Sequence, residues 1–76
     1  MSPKLPVLTA KELARAVQRL GFELRRQSGS HAIYVRPTDQ ARVVIPMHTR
    51  VAIKPKTLRG IIHDLKLTVE EFVELL

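Results

Sequence analysis

The 76-residue sequence has no cysteine, no tryptophan, one tyrosine and two phenylalanines. Without cysteine there can be no disulfide staple, no thiolate zinc site and no cysteine nucleophile. No apolar run approaches the ~18 residues that a membrane-spanning helix needs, and no signal-peptide pattern opens the chain. The expected location is therefore the cytoplasm, with no membrane partner. Internal repeats and low-complexity segments are lacking too. The length leaves room for one domain, residues 1–76, with a lean core. An apolar share of 45% with 26% charged residues is that of a folded chain rather than a disordered one.

Acidic residues are scarce as well: seven against thirteen Lys and Arg, for a net charge of +6. Twelve of those cations lie in residues 1–60, opposed only by Glu12, Glu23 and Asp39. Beyond residue 60, Lys66 alone faces Asp64, Glu70, Glu71 and Glu74. A basic surface so unevenly placed suits a polyanion such as nucleic acid, or an acidic protein. It also suits a surface that is merely soluble.

The segment Leu8-Thr9-Ala10-Lys11-Glu12-Leu13 reads as a helix start, with Thr9 and Glu12 as a capping box and Leu8 and Leu13 as a hydrophobic staple. Leu13, Val17 and Leu20 give the apolar stripe, Lys11, Arg15 and Arg19 the opposite cationic one, and Gly21 a left-handed stop. Three short strands follow, around Phe22–Arg25, Ala32–Val35 and Val43–Ile45. They are separated by Ser28-Gly29-Ser30 and Pro37-Thr38-Asp39-Gln40, and such short connections favour an antiparallel meander. Which face of the second strand is buried stays open. His31, Ile33 and Val35 share one side, while Ala32, Tyr34 and Arg36 share the other.

A loop then leads to a helix from about Pro55 to Leu65, striped by Leu58, Ile61, Ile62 and Leu65. A second capping box, Thr68 with Glu71, opens a last short helix whose expected buried face is Val69, Phe72, Val73 and Leu76. The expected fold class is α+β, in the order α-β-β-β-α-α, with the helices against one face of a three-stranded antiparallel sheet.

The side chains that titrate near neutrality are His31, His48 and His63. His31 directly follows the glycine turn, at the mouth of a strand, where a side chain is exposed yet rigidly held. Gly29 also lets another backbone approach closely. Arg25, Arg26 and Arg36 come from the strands flanking that turn and are candidates to hold a phosphate beside the imidazole. The combination suits RNA cleavage by internal transphosphorylation, in which the substrate supplies its own 2′-OH nucleophile and no metal is chemically required. A histidine near arginines is also an ordinary surface arrangement, so spacing alone decides nothing. His48, after the third strand, is either a second proton-transfer or phosphate-binding group or a loop histidine bonded to backbone. His63 near a helix end is explained by the dipole. The histidines and aspartates have no metal-ligand spacing, so no cofactor is expected.

Lys54, Lys56 and Arg59 at the start of the second helix are unfavourable to that helix unless an anion offsets them. Tyr34 offers a ring for base stacking, although an aromatic residue in a strand more commonly belongs to the core.

Gly29-Ser30-His31, Tyr34, Ile45-Pro46-x-His48, Thr57-Leu58-Arg59-Gly60-Ile61-Ile62 and Glu70-Glu71-Phe72 form a series that resembles the HicA family. Leu13-x-Arg15 and Leu20-Gly21-Phe22 approximate the opening stretch of that family, so the resemblance covers nearly the whole chain. It implies a double-stranded-RNA-binding-like fold, α-β-β-β-α, here with a short extra C-terminal helix. It further implies the toxin of a type II toxin–antitoxin pair, a metal-independent mRNA interferase with His31 as the catalytic residue. Ser30 belongs to the same turn. A HicB-type antitoxin would cover the active surface, and DNA would be bound only indirectly, through the antitoxin complex. Lys56 departs from the glycine common before the Thr-Leu pair in that family. The residues before Leu5 find no match. Two other readings remain at this stage: an RNA-binding module of the same fold that does not cut, and a small DNA-binding repressor subunit. The three strands between the helices disfavour the second.

Overall fold

The computed structural model describes residues 5–48 and 51–76. The unmatched start before Leu5, and Thr49 and Arg50 of the loop, lie outside them. Six elements follow in the expected order: α1 (Ala10–Arg19), β1 (Glu23–Ser28), β2 (His31–Arg36), β3 (Ala41–Pro46), α2 (Pro55–Asp64) and α3 (Val69–Val73). The class is α+β, an α-β-β-β-α core with an added C-terminal helix.

Both capping boxes form. The Thr9 N–H donates to Glu12 Oε1 at 2.9 Å and the Glu12 N–H to Thr9 Oγ1 at 3.3 Å. Thr68 and Glu71 repeat the pattern at 2.9 and 3.1 Å. Each box satisfies two backbone donors that a helix start would otherwise leave without partners. Gly21 ends α1 at φ 92°, with the Gly21 N–H donating to the Gln18 carbonyl and the Phe22 N–H to the Val17 carbonyl. This is a Schellman motif, closed by the buried Phe22 and Val17 side chains. The same two bonds end α2, from Lys66 to His63 and from Leu67 to Ile62, but there Lys66 occupies the left-handed position at φ 61°. A β-carbon costs roughly 1–2 kcal/mol in that conformation.

The strands pair antiparallel in the order β1-β2-β3 and run a residue or more beyond the sequence expectation, to meet at their turns. Ala32, Tyr34, Val43 and Ile45 are buried beneath the helices with Leu13, Val17, Leu58, Ile61, Ile62 and Phe72. That resolves the face of β2: Ala32 and Tyr34 point inward, and His31, Ile33 and Val35 point away from the helices. Both α1 and α2 rest on β3, whereas β1 is exposed along its whole length. In the last helix Phe72 is buried and Val69 and Val73 half-buried, but Leu76 is exposed. Leu75 packs against the core in its place.

Arg36, at the end of β2, is held by Asp39 through two parallel bonds, Nε to Oδ1 at 2.9 Å and Nη2 to Oδ2 at 2.8 Å. It also lies over the Phe22 ring, 4.8 Å from its centre. The Arg36 guanidinium, helped by the Ala41 N–H, holds the Asp39 carboxyl at about 2. Because this lies below the unfolded value, the pair stabilises the fold at neutral pH and loses that contribution as pH falls from about 4 toward 2.

Two stability outcomes follow from this geometry. Replacing Lys66 by glycine raises unfolding stability by about 1 kcal/mol, seen as a higher urea midpoint with an unchanged slope. The melting-temperature gap between wild type and Asp39→Asn narrows between pH ~4 and pH ~2, the interval over which Asp39 itself protonates.

Candidate active site

The β1–β2 connection is a two-residue turn, Gly29-Ser30, closed by the Ser28–His31 pair. Gly29 takes φ 57° while Ser30 stays at negative φ, the signs of a type II′ turn, whose twist matches that of the strands. No atom outside its chain neighbours lies within 4 Å of where a Gly29 β-carbon would stand, so the backbone angle, rather than crowding, requires glycine here. His31 pairs with Ser28 on one side and Pro46 on the other, and the Met47 N–H donates to the Ser30 carbonyl. The imidazole is thus exposed, on a backbone fixed from both neighbouring strands.

The register sorts the three strand arginines. Arg26 pairs with Ile33 on the same outward face as His31. It is therefore a diagonal neighbour of His31, about 7–8 Å away between backbones and within reach of a long side chain. Arg25 occupies the irregularity between Leu24 and Arg26, an extra residue on β1 opposite the regular run of β2. Arg36 does not join them. Five residues along β2 from His31, roughly 16 Å at strand spacing, it is engaged with Asp39 and Phe22. Its expected place beside the imidazole is corrected: proximity to the turn in sequence put it at the far end of the strand.

Tyr34 is also corrected. Its ring is buried in the core, because the inward alternation of β2 begins at Ala32, and it offers no stacking surface. The chain's other two aromatics, Phe22 and Phe72, are buried as well.

His48 leaves β3 two residues after Pro46, the cross-strand partner of His31. It lines a cleft of about 240 Å³ with Pro46, Val51, Ala52, Ile53, Lys54 and Thr57. Residues 51–53 are held there by the Thr9–Ala52 bridge and by the Ile53 N–H donating to the Leu8 carbonyl. The cleft ends at the start of α2, where Lys54 caps the helix without a side-chain bond and no acidic residue occupies the first turn. Lys54, Lys56 and Arg59 are all exposed. On α1, Lys11 and Arg15 are exposed, whereas the Arg19 guanidinium donates to the Leu75 carbonyl and ties α1 to the C-terminal segment.

One cation on this face escaped the sequence reading. Arg42 pairs with Val35, so it stands outward in β3, on the same surface as His31 and Arg26. The alternation of Arg42 and Val44 against the buried Val43 and Ile45 carries the signal. Among the described residues, no three His, Asp or Glu side chains come together as metal ligands, and no helix is long and apolar enough to cross a membrane.

The arrangement can therefore present an exposed, rigidly based imidazole with one arginine within reach, at a sheet end that opens toward further cations. No curated protein matches the chain. A family model described as the HicA toxin of bacterial toxin–antitoxin matches residues 10–67, from the first residue of α1 to just beyond α2. The match takes in every element that builds this site, and the chain belongs to the HicA family of toxins from toxin–antitoxin systems.

Proposed function

We propose that the toxin acts in the cytoplasm as a metal-independent endoribonuclease on mRNA, with His31 as its general acid–base, until a HicB-type antitoxin neutralises it. The observation that carries the reading is the position of His31: exposed, paired on both sides, and diagonal to Arg26 on a face that no helix covers.

In this reading His31 takes the proton of a ribose 2′-OH as its oxygen attacks the adjacent phosphorus. The bond from phosphorus to the 5′-oxygen breaks, leaving a 2′,3′-cyclic phosphate, and the departing oxygen gains a proton. Arg26 meets the charge that builds on the non-bridging oxygens, with Arg25 alongside. Such positioned proton transfer is worth typically about 10²–10⁴-fold, and fixed cations add electrostatic stabilisation. Ser30 and Gly29 set the base of the imidazole. In this reading His48, two residues past the cross-strand partner of His31, shares proton transfer or binds a flanking phosphate. Lys54, Lys56 and Arg59 continue the cationic path, and phosphates there would offset the unfavourable placement of positive charge at a helix start.

His31→Ala is expected to slow RNA cleavage by about 10²–10⁴-fold. The wild type should cut in the presence of a chelator and leave DNA of the same sequence intact. Fragment analysis on a gel decides it, and undiminished cutting by His31→Ala would overturn the mechanism in favour of an RNA-binding module with no chemistry of its own. The arginines separate in the same assay. Arg26→Ala lowers kcat/KM by roughly ten- to a hundredfold, the worth of one charge-assisted contact. Arg36→Ala lowers the melting temperature and leaves kcat/KM of the folded protein unchanged.

A further inference from the structure

The cleft beside His48 has walls that the proposed chemistry does not use. Pro46, Val51, Ala52 and Ile53 make much of it apolar, and Val51 stands there 59% exposed. Such side chains give a phosphate nothing to bind. Three polar side chains, those of His48, Lys54 and Thr57, converge on the same hollow. Apolar walls with a few convergent polar groups are the usual form of a small-ligand site. At about 240 Å³ the cleft falls below the roughly 300 Å³ where pockets for drug-sized ligands begin, a size that suits a single flat ring.

Position ties the cleft to His31. Pro46 pairs with His31, about 5 Å away between backbones, and therefore shares its outward side of the sheet. Pro46 is also a wall of the cleft. An RNA strand with a phosphate beside the imidazole delivers a neighbouring base to this hollow. The opposite wall is fixed before any ligand arrives. Ala52 is bridged to Thr9, and the Ile53 N–H donates to the Leu8 carbonyl at 2.8 Å.

We infer that the cleft is a base-reading subsite for the nucleotide next to the cleaved phosphate, selective for a keto base, guanine or uracil. The inference rests on the endoribonuclease reading for the RNA strand and adds which bases that strand presents. Unstacked bases are ordinarily held by aromatic rings, histidine included. Phe22, Tyr34 and Phe72 are all buried, so the ring that meets a base here is His48, opposed by the aliphatic side chain of Val51. The base edge is read by Lys54 and Thr57. A lysine ammonium only donates, whereas a threonine hydroxyl donates or accepts. Among the described residues no carboxylate lines the cleft. Guanine meets these donors with O6 and N7, and uracil with O4, whereas adenine and cytosine present their N6 and N4 amino groups. An amino group set against the ammonium leaves donors on both sides unpaired, the mismatch by which a hydrogen-bonding site rejects an analogue.

The test titrates isotope-labelled toxin with the four ribonucleoside monophosphates and follows the backbone amides of Ala52, Ile53 and Thr57 by NMR. Guanosine and uridine monophosphates should bind at least about fivefold more tightly than those of adenosine and cytidine. Thr57→Val should narrow that preference, and Lys54→Met together with Thr57→Val should remove it. Ala52→Leu, which fills the cleft, should abolish the response to the bases, with circular dichroism melts confirming that each variant is folded. Cut sites mapped along one long transcript should carry a keto base on one constant side of the cleaved phosphate, and the double variant should lose that bias. Equal responses to all four monophosphates, the mark of phosphate binding alone, would overturn the inference. So would base-dependent shifts that persist in the Ala52→Leu protein. Base-dependent shifts in a toxin that cuts no RNA would support the subsite while overturning the endoribonuclease reading.

Discussion

The left-handed backbone at Gly29 fixes the register of β1 against β2, and nearly every functional feature of the molecule is a consequence of that register. With Ser28 opposite His31, side chains 31, 33 and 35 are outward and 32 and 34 inward. A slip of one residue would exchange the two sets, burying an imidazole and exposing a tyrosine ring. The turn therefore does more than connect two strands. It decides which side of the sheet bears His31 and Arg26, and the second ladder, His31 to Pro46, carries the decision into β3 and the loop that holds His48.

The helices complete the division of labour by lying on one face only. Both α1 and α2 settle on β3, so the core is deepest there, and β1 extends beyond it with every residue exposed. The helix starts differ in how their amides are satisfied. α1 and α3 open with Thr–Glu boxes that satisfy their amides internally. α2 opens on Lys54 and Pro55, with no side-chain cap and no acid, at the end of the cleft that begins at Pro46. Optimal local helix chemistry is present where the ends are structural and relaxed where they face the same opening as His48.

Much of this was legible in the sequence because local rules agreed with one another. Both capping boxes, the stop at Gly21, the two hairpin turns and the element order rest on contacts between residues only a few positions apart. The errors arose where sequence proximity and spatial proximity diverge. Arg36 is close to the glycine turn in number, but a strand runs straight away from its turn and delivers its far end to the opposite edge. There Arg36 belongs with Asp39, a partner three residues on, and with Phe22, an aromatic that only the folded sheet brings near. Tyr34 and His31 could not be sorted on β2 alone because both its faces carry apolar residues. The neighbouring strand resolves them, since β3 contrasts Val43 and Ile45 with Arg42 on alternate positions. The irregularity at Arg25 shifts the phase of β1, and no alternation rule applied to that strand would place Arg26 correctly.

A chain this small has few surfaces to assign. Its sheet has two faces, and folding consumes one of them together with every aromatic side chain. In the proposed function, the uncovered face is the one that presents His31 and Arg26 to RNA. The same scarcity explains why cations and aliphatics share that face. Arginine can receive either a phosphate or a carboxylate, whereas Ile33, Val35 and Val44 reward only a partner that brings apolar surface of its own.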